Sequence, residues 1–196
     1  MAFGEAPIGR IIRRGGARAG DTVFVTGTIG DAALGLAVLR GELPGLDSAS
    51  AAFLVDRYRL PVPRVTLGPR LIGIAAAALD VSDGLVADLR HLCEVSNLTA
   101  IIEVERVPLS LAARMAVSVD PARLEIAFTG GDDYEILFTA PPAVAGQLAE
   151  LSRSMSVPIT PIGRMLLPPR DAKNRVSVVD AGNRPIRFAS EGWSHF

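Results

Sequence analysis

A chain of 196 residues with 20 basic and 21 acidic side chains carries a net charge of −1, which leaves no cationic excess for gripping a nucleic-acid backbone. Its 49% hydrophobic and 21% charged content suits one well-buried core, and its longest apolar run, near residues 71–79, falls far short of the roughly 18–20 residues a membrane span takes. The single cysteine, Cys93, makes no internal disulfide and no zinc site alone, and no signal peptide is visible, so the expected setting is the cytoplasm.

Residues 1–20 are rich in Gly, Arg and Ala and read as an arm or linker; the folded domain is expected over 21–196. The arm's Arg10, Arg13, Arg14 and Arg18 are too few to hold a nucleic acid but suit a phosphorylated small molecule. Thr22-Val23-Phe24-Val25-Thr26 is a strand signal closed by Gly27. Helices are predicted over 31–40, stopped by Gly41, and over 46–58, with Asp47 or Ser48 as N-cap. Pro61-Val62-Pro63 is an extended joint. Residues 67–78 read as a buried, alanine-rich helix and 79–82 as a short extended piece. Leu85, Leu89, Leu92 and Cys93 then share one face of a helix that starts at Asp83. A half-exposed strand over 100–105, helices near 110–117 and 121–128, a strand over 135–139, a helix over 143–153 and a strand over 157–162 follow. A last strand over 175–179 enters a hairpin turning at Gly182-Asn183. The interleaving is not a strict βα alternation, so the expected class is α+β, a mixed sheet covered by helices.

Two polar constellations stand out. In Asp80-Val81-Ser82-Asp83-Gly84, an extended segment points Asp80 and Ser82 to one side and sets Asp83 at the mouth of a helix. Two carboxylates and a hydroxyl there suit a hard cation such as magnesium; the plainer alternative makes Asp83 an N-cap and Asp80 a surface residue. In Gly130-Gly131-Asp132-Asp133-Tyr134, paired glycines let a ligand approach the main chain. The acids after them repel a bare phosphate and favour a metal or a cationic ligand, unless the segment is only a turn into the next strand. Gly27-Thr28-Ile29-Gly30-Asp31 lacks the spacing of a dinucleotide or phosphate loop and reads as a structural turn. His91 and His195 lack metal-ligand spacing, and Cys93 reads as packing.

Taken in order, these pieces resemble the thiamine-monophosphate kinases of the aminoimidazole-ribonucleotide-synthetase-like superfamily. The matching stretches are Arg14 to Asp21, Val25 to Ala33, Tyr58-Arg59-Leu60-Pro61-Val62-Pro63-Arg64, Asp80 to Leu85, Gly130 to Glu135, and Gly192-Trp193-Ser194-His195-Phe196. The resemblance implies the superfamily's carboxy-terminal fold and transfer of the ATP γ-phosphoryl group to thiamine monophosphate. The acceptor is already an ionised phosphate oxygen, so no catalytic base is needed. It further implies Asp80 and Asp83 as magnesium ligands, Ser82 and Arg14 as ATP contacts, and Asp132 and Trp193 as contacts to thiamine monophosphate. The family usually has glutamate where Asp132 stands, a reach longer by about 1.5 Å. Such kinases also carry an amino-terminal domain with further acids that builds a homodimer, and without it this chain is expected to fold but not turn over. A sister ATP-dependent synthetase and a non-catalytic ligand-binding or regulatory domain are the alternatives.

Overall fold

The structure, a computed structural model, describes residues 9–169 and 174–189. The β-branched run Thr22–Thr26 forms β1, and strand alternation splits it between two apolar clusters: Val23 and Val25 enter one, Phe24 the other. There follow α1 (Asp31–Leu39), α2 (Ser48–Arg59), β2 (Ala77–Asp80), α3 (Leu85–Ser96), β3 (Thr99–Glu103), α4 (Leu111–Val119) and α5 (Arg123–Thr129). The remaining elements are β4 (Ile136–Ala140), α6 (Ala145–Met155), β5 (Ile159–Leu166), β6 (Val176–Val179) and β7 (Pro185–Ile186).

The strands make one sheet in the order β2-β4-β1-β5-β3-β6-β7. Only β3 and β6 run parallel; the other neighbours are antiparallel. The larger cluster joins Val23, Val25 and Leu137 to apolar residues of α1 to α5, including the predicted stripe Leu85, Leu89, Leu92 and Cys93. The smaller one sets Phe24 and Phe138 with Leu148 of α6; these two rings are register partners and stack at 5.2 Å. This is the expected α+β architecture of a mixed sheet covered by helices. No helix among the described residues is long and apolar enough to cross a membrane.

Local chemistry explains most element ends. The Asp47 carboxylate accepts the N–H groups of Ala49 and Ser50 at 3.0 and 2.9 Å, capping α2 as its sequence predicts. The β6–β7 hairpin turns through left-handed Asn183, again as predicted. The helix expected over 67–78 does not form. Pro69 and left-handed Gly73 (φ 82°) limit that stretch to a 3-10 turn, Gly68–Leu71. The strand then begins at Ala77, because pairing from Ala77↔Thr139 to Asp80↔Ile136 outweighs alanine's helix preference. On the outer side of β2, the arm's Arg13 carbonyl accepts the Ala78 N–H at 3.0 Å.

Candidate functional site

The two polar motifs lie side by side. Beyond β2 the ladder continues for one more step: Val81 donates to the Glu135 carbonyl and accepts from the Tyr134 N–H, both at 2.9 Å. Asp132 then donates its N–H to the Ser82 carbonyl at 3.0 Å. Glycine permits this approach. A Cβ on Gly131 would lie 1.9 Å from the Ser82 oxygen, and one on Gly84 (φ 113°) 2.5 Å from the Thr129 oxygen.

Helix α3 begins at Leu85 with Gly84 as its N-cap, so Asp83 neither starts nor caps it. The capping is done by Asp88, whose Oδ2 accepts three backbone N–H groups, from Ser82, Asp83 and Gly84, at 3.0, 3.0 and 3.1 Å. Burial pushes the Asp88 carboxyl up to about 6; the N–H groups oppose that rise, while nearby Asp83 and Asp80 add to it. The sequence signal for this residue is an acid in the first turn after a glycine N-cap.

Two further acids hold the glycine-pair loop. Buried Asp133 accepts N–H bonds from Gly30 (2.6 Å) and Ala32 (3.1 Å), filling the start of α1. Two of the amides at that start are thus taken by a carboxylate, in keeping with the structural turn that the spacing predicts. Burial pushes the Asp133 carboxyl up to about 7, with the two N–H groups and Arg57 pulling the other way. Fully buried Glu135 receives a bidentate pair from Arg64 (2.7 and 2.6 Å), a hydroxyl from Thr26 (2.6 Å) and Arg57 at 3.3 Å. Arg57 also reaches Asp31 at 3.7 Å, and Asp31 accepts the hydroxyls of Thr28 and Ser110. The proline-flanked segment thus delivers Arg64 to an ion network behind the loop, a role that its sequence alone does not disclose.

In front of the loop is a cleft of about 670 Å³. Arg40, Glu42, Ser82, Asp83, Asp132 and Tyr134 line its polar part, and Ala33, Leu36, Ala37 and Ile126 its apolar part. Three of the sequence-predicted site residues, Ser82, Asp83 and Asp132, therefore meet here. Asp80 lies exposed at the end of β2, off the cleft wall but close enough to act on both Asp88 and the Tyr134 hydroxyl. Arg14 is exposed on the arm. Trp193 falls outside the described residues. The oxygen-only donors suit magnesium in kind, but among the described residues no three His, Cys, Asp or Glu side chains converge as a metal cage. Cys93 is buried with its thiol pushed up to about 12 by desolvation, which fits packing.

Comparison with known proteins gives this geometry a context. Residues 18–170 match the family described as AIR synthase related protein, C-terminal domain. A thiamine-monophosphate kinase of Salmonella typhimurium is 39% identical over 98% of this chain and 58% of its own length. The solved thiamine-monophosphate kinase of Stenotrophomonas maltophilia superposes with a TM-score of 0.76 at 40% identity, over 87% of this chain and 53% of that one. AaThiL complexed with AMPPCP and TMP superposes with a TM-score of 0.74 at 32% identity, over 95% and 55%. The chain thus spans little more than half of the relatives it matches. Its fold and its residues together show that the chain belongs to the family described as AIR synthase related protein, C-terminal domain.

Proposed function

We propose that this chain is the carboxy-terminal part of a cytoplasmic thiamine-monophosphate kinase, which transfers the ATP γ-phosphoryl group to thiamine monophosphate and yields thiamine diphosphate. The observation that carries the reading is the shared cleft of Ser82, Asp83 and Asp132, two motifs from distant parts of the chain joined by backbone pairing. Relatives support it: the Salmonella and Stenotrophomonas proteins are thiamine-monophosphate kinases, and AaThiL was solved with AMPPCP and TMP.

Asp83 and Asp80 hold magnesium in this reading, and the cation supplies charge neutralisation between two anionic reactants. Ser82 and Arg14 contact ATP. Asp132 and Trp193 hold the thiamine moiety, whose positive ring suits a carboxylate and an aromatic face. The protein's task is alignment and charge screening, with no general base. Water and the phosphate oxygens of the reactants complete the six ligands around a magnesium held by two carboxylates; further acids belong, in this reading, to an amino-terminal domain to which the arm over 1–20 connects and which forms the homodimer.

The test is a chimera in which residues 1–196 replace the matching stretch of the Salmonella enzyme. With ATP, magnesium and thiamine monophosphate it is expected to form thiamine diphosphate, and Asp83→Asn is expected to lower turnover by about 10²-fold or more. The 196-residue chain alone is expected to show no turnover. A folded chimera that phosphorylates another acceptor but not thiamine monophosphate would overturn the assignment in favour of a sister synthetase.

A further inference from the structure

Tyr134 occupies a backbone position made for glycine. Its φ is 52° and that of Asp132 is 71°, in the left-handed region that costs an ordinary residue roughly 1–2 kcal/mol. The reason for the geometry lies on either side. Asp133 must reach the start of α1 and Glu135 must reach Arg64, and both are buried. The turn that seats these two acids leaves the residue between them facing outward.

Glycine would satisfy that backbone without strain. Tyr134 is 38% exposed, belongs to neither apolar cluster and joins neither of the aromatic pairs among the described residues. It does line the cleft, and its hydroxyl donates to Asp132 Oδ1 at 3.3 Å. The hydroxyl is also harder to ionise than usual, first because of the Asp132 charge and further because of burial and Asp80. A large aromatic held at a strained position, next to a carboxylate and over a half-apolar cleft, has its use outside the fold.

We propose that Tyr134 is a ligand-binding residue whose ring packs against the cationic aromatic ring of the substrate, while its hydroxyl orients the Asp132 carboxylate toward that ring's charge. The inference deepens the kinase reading and rests on it. Ring and carboxylate form one wall: cation–π attraction comes from the first and ion pairing from the second. The shorter reach of aspartate at position 132 makes that orienting hydrogen bond more useful.

The experiment is calorimetric titration of thiamine monophosphate into the 196-residue chain and its Tyr134→Phe, Tyr134→Leu and Tyr134→Gly variants, with urea unfolding of each. Tyr134→Leu and Tyr134→Gly are expected to weaken binding by about 5- to 10-fold, and Tyr134→Phe by no more than about threefold. Tyr134→Gly is expected to unfold at the same or a higher urea concentration than wild type, because glycine relieves the left-handed strain. Wild-type affinity in Tyr134→Leu overturns the inference and leaves the kinase reading standing. Loss of stability and affinity together in Tyr134→Gly shows a structural tyrosine, which also overturns it. A wild-type chain that gives no heat with thiamine monophosphate overturns the inference, and a chimera that also forms no thiamine diphosphate overturns the kinase reading with it.

Discussion

Gly30 donates its backbone N–H to the Asp133 carboxylate at 2.6 Å, across 103 residues of sequence. This contact joins the start of α1 to the loop that presents Asp132 and Tyr134 to the cleft, so one buried side chain serves both the helix and the site.

Asp133→Ala is expected to destabilise the chain by about 2–3 kcal/mol, since it leaves two buried N–H groups unpaired at a helix start. Chemical denaturation measures the loss. A change below about 0.5 kcal/mol would mean that water replaces the carboxylate at no cost.

The same residue gives a pH dependence. Its carboxyl sits at about 7 when folded, against an ordinary value of 3.8, so between those values the folded state keeps a proton that the unfolded chain has released. Stability from this group therefore falls as pH rises from about 4 to about 7 and levels off above. Urea unfolding at several pH values should show the wild type losing stability relative to Asp133→Asn across that window. A constant difference between the two proteins would contradict the shift.

Arg64→Ala is expected to cost about 2–4 kcal/mol, because it strips the bidentate partner from a fully buried Glu135 and leaves only Arg57 at 3.3 Å to balance the charge. Arg64→Lys should recover less than half, as an ammonium cannot reproduce two parallel bonds. Thermal unfolding of both variants, of Glu135→Gln, and of Arg64→Ala combined with Glu135→Gln, measures the coupling. Full additivity would rule out a shared network.

Asp88→Ala is expected to speed hydrogen exchange at the Ser82, Asp83 and Gly84 amides by about tenfold or more, since all three donate to the carboxylate that is removed. Amide exchange followed by NMR at those positions is the measurement. Unchanged exchange would show that the loop holds its shape without this cap.

Much of the fold is readable from local pattern. The run Thr22–Thr26, the Asp47 cap and the Leu85, Leu89, Leu92, Cys93 stripe are each decided by neighbours in sequence, and each appears where that pattern puts it. Residues 67–78 mislead because alanine's local preference points to helix, while their true partner is a strand some sixty residues later, Ala77 pairing with Thr139. The site divides in the same way. Ser82, Asp83 and Asp132 stand out because their motifs are dense in chemistry. Asp88 shows locally only as an acid in the first turn of α3; Asp133, Arg64 and Glu135 act through contacts that no spacing rule encodes, and nothing local distinguishes Asp133, which turns inward, from Asp132, which lines the cleft. Tyr134 passes as an ordinary turn residue ahead of the strand expected over 135–139 until its backbone angle is known.

The position of β1 has a consequence for how the protein is made. Both of its neighbours, β4 and β5, come from the far end of the chain: Phe24 sits opposite Phe138 on one side and Pro161 on the other. On the ribosome, the apolar segment around Val23 and Val25 emerges long before either partner exists; its first mate, β4, is complete only at residue 140, and its second, β5, only at residue 166. A stalled or shortened nascent chain would thus present a bare hydrophobic strand, the kind of species that chaperones bind.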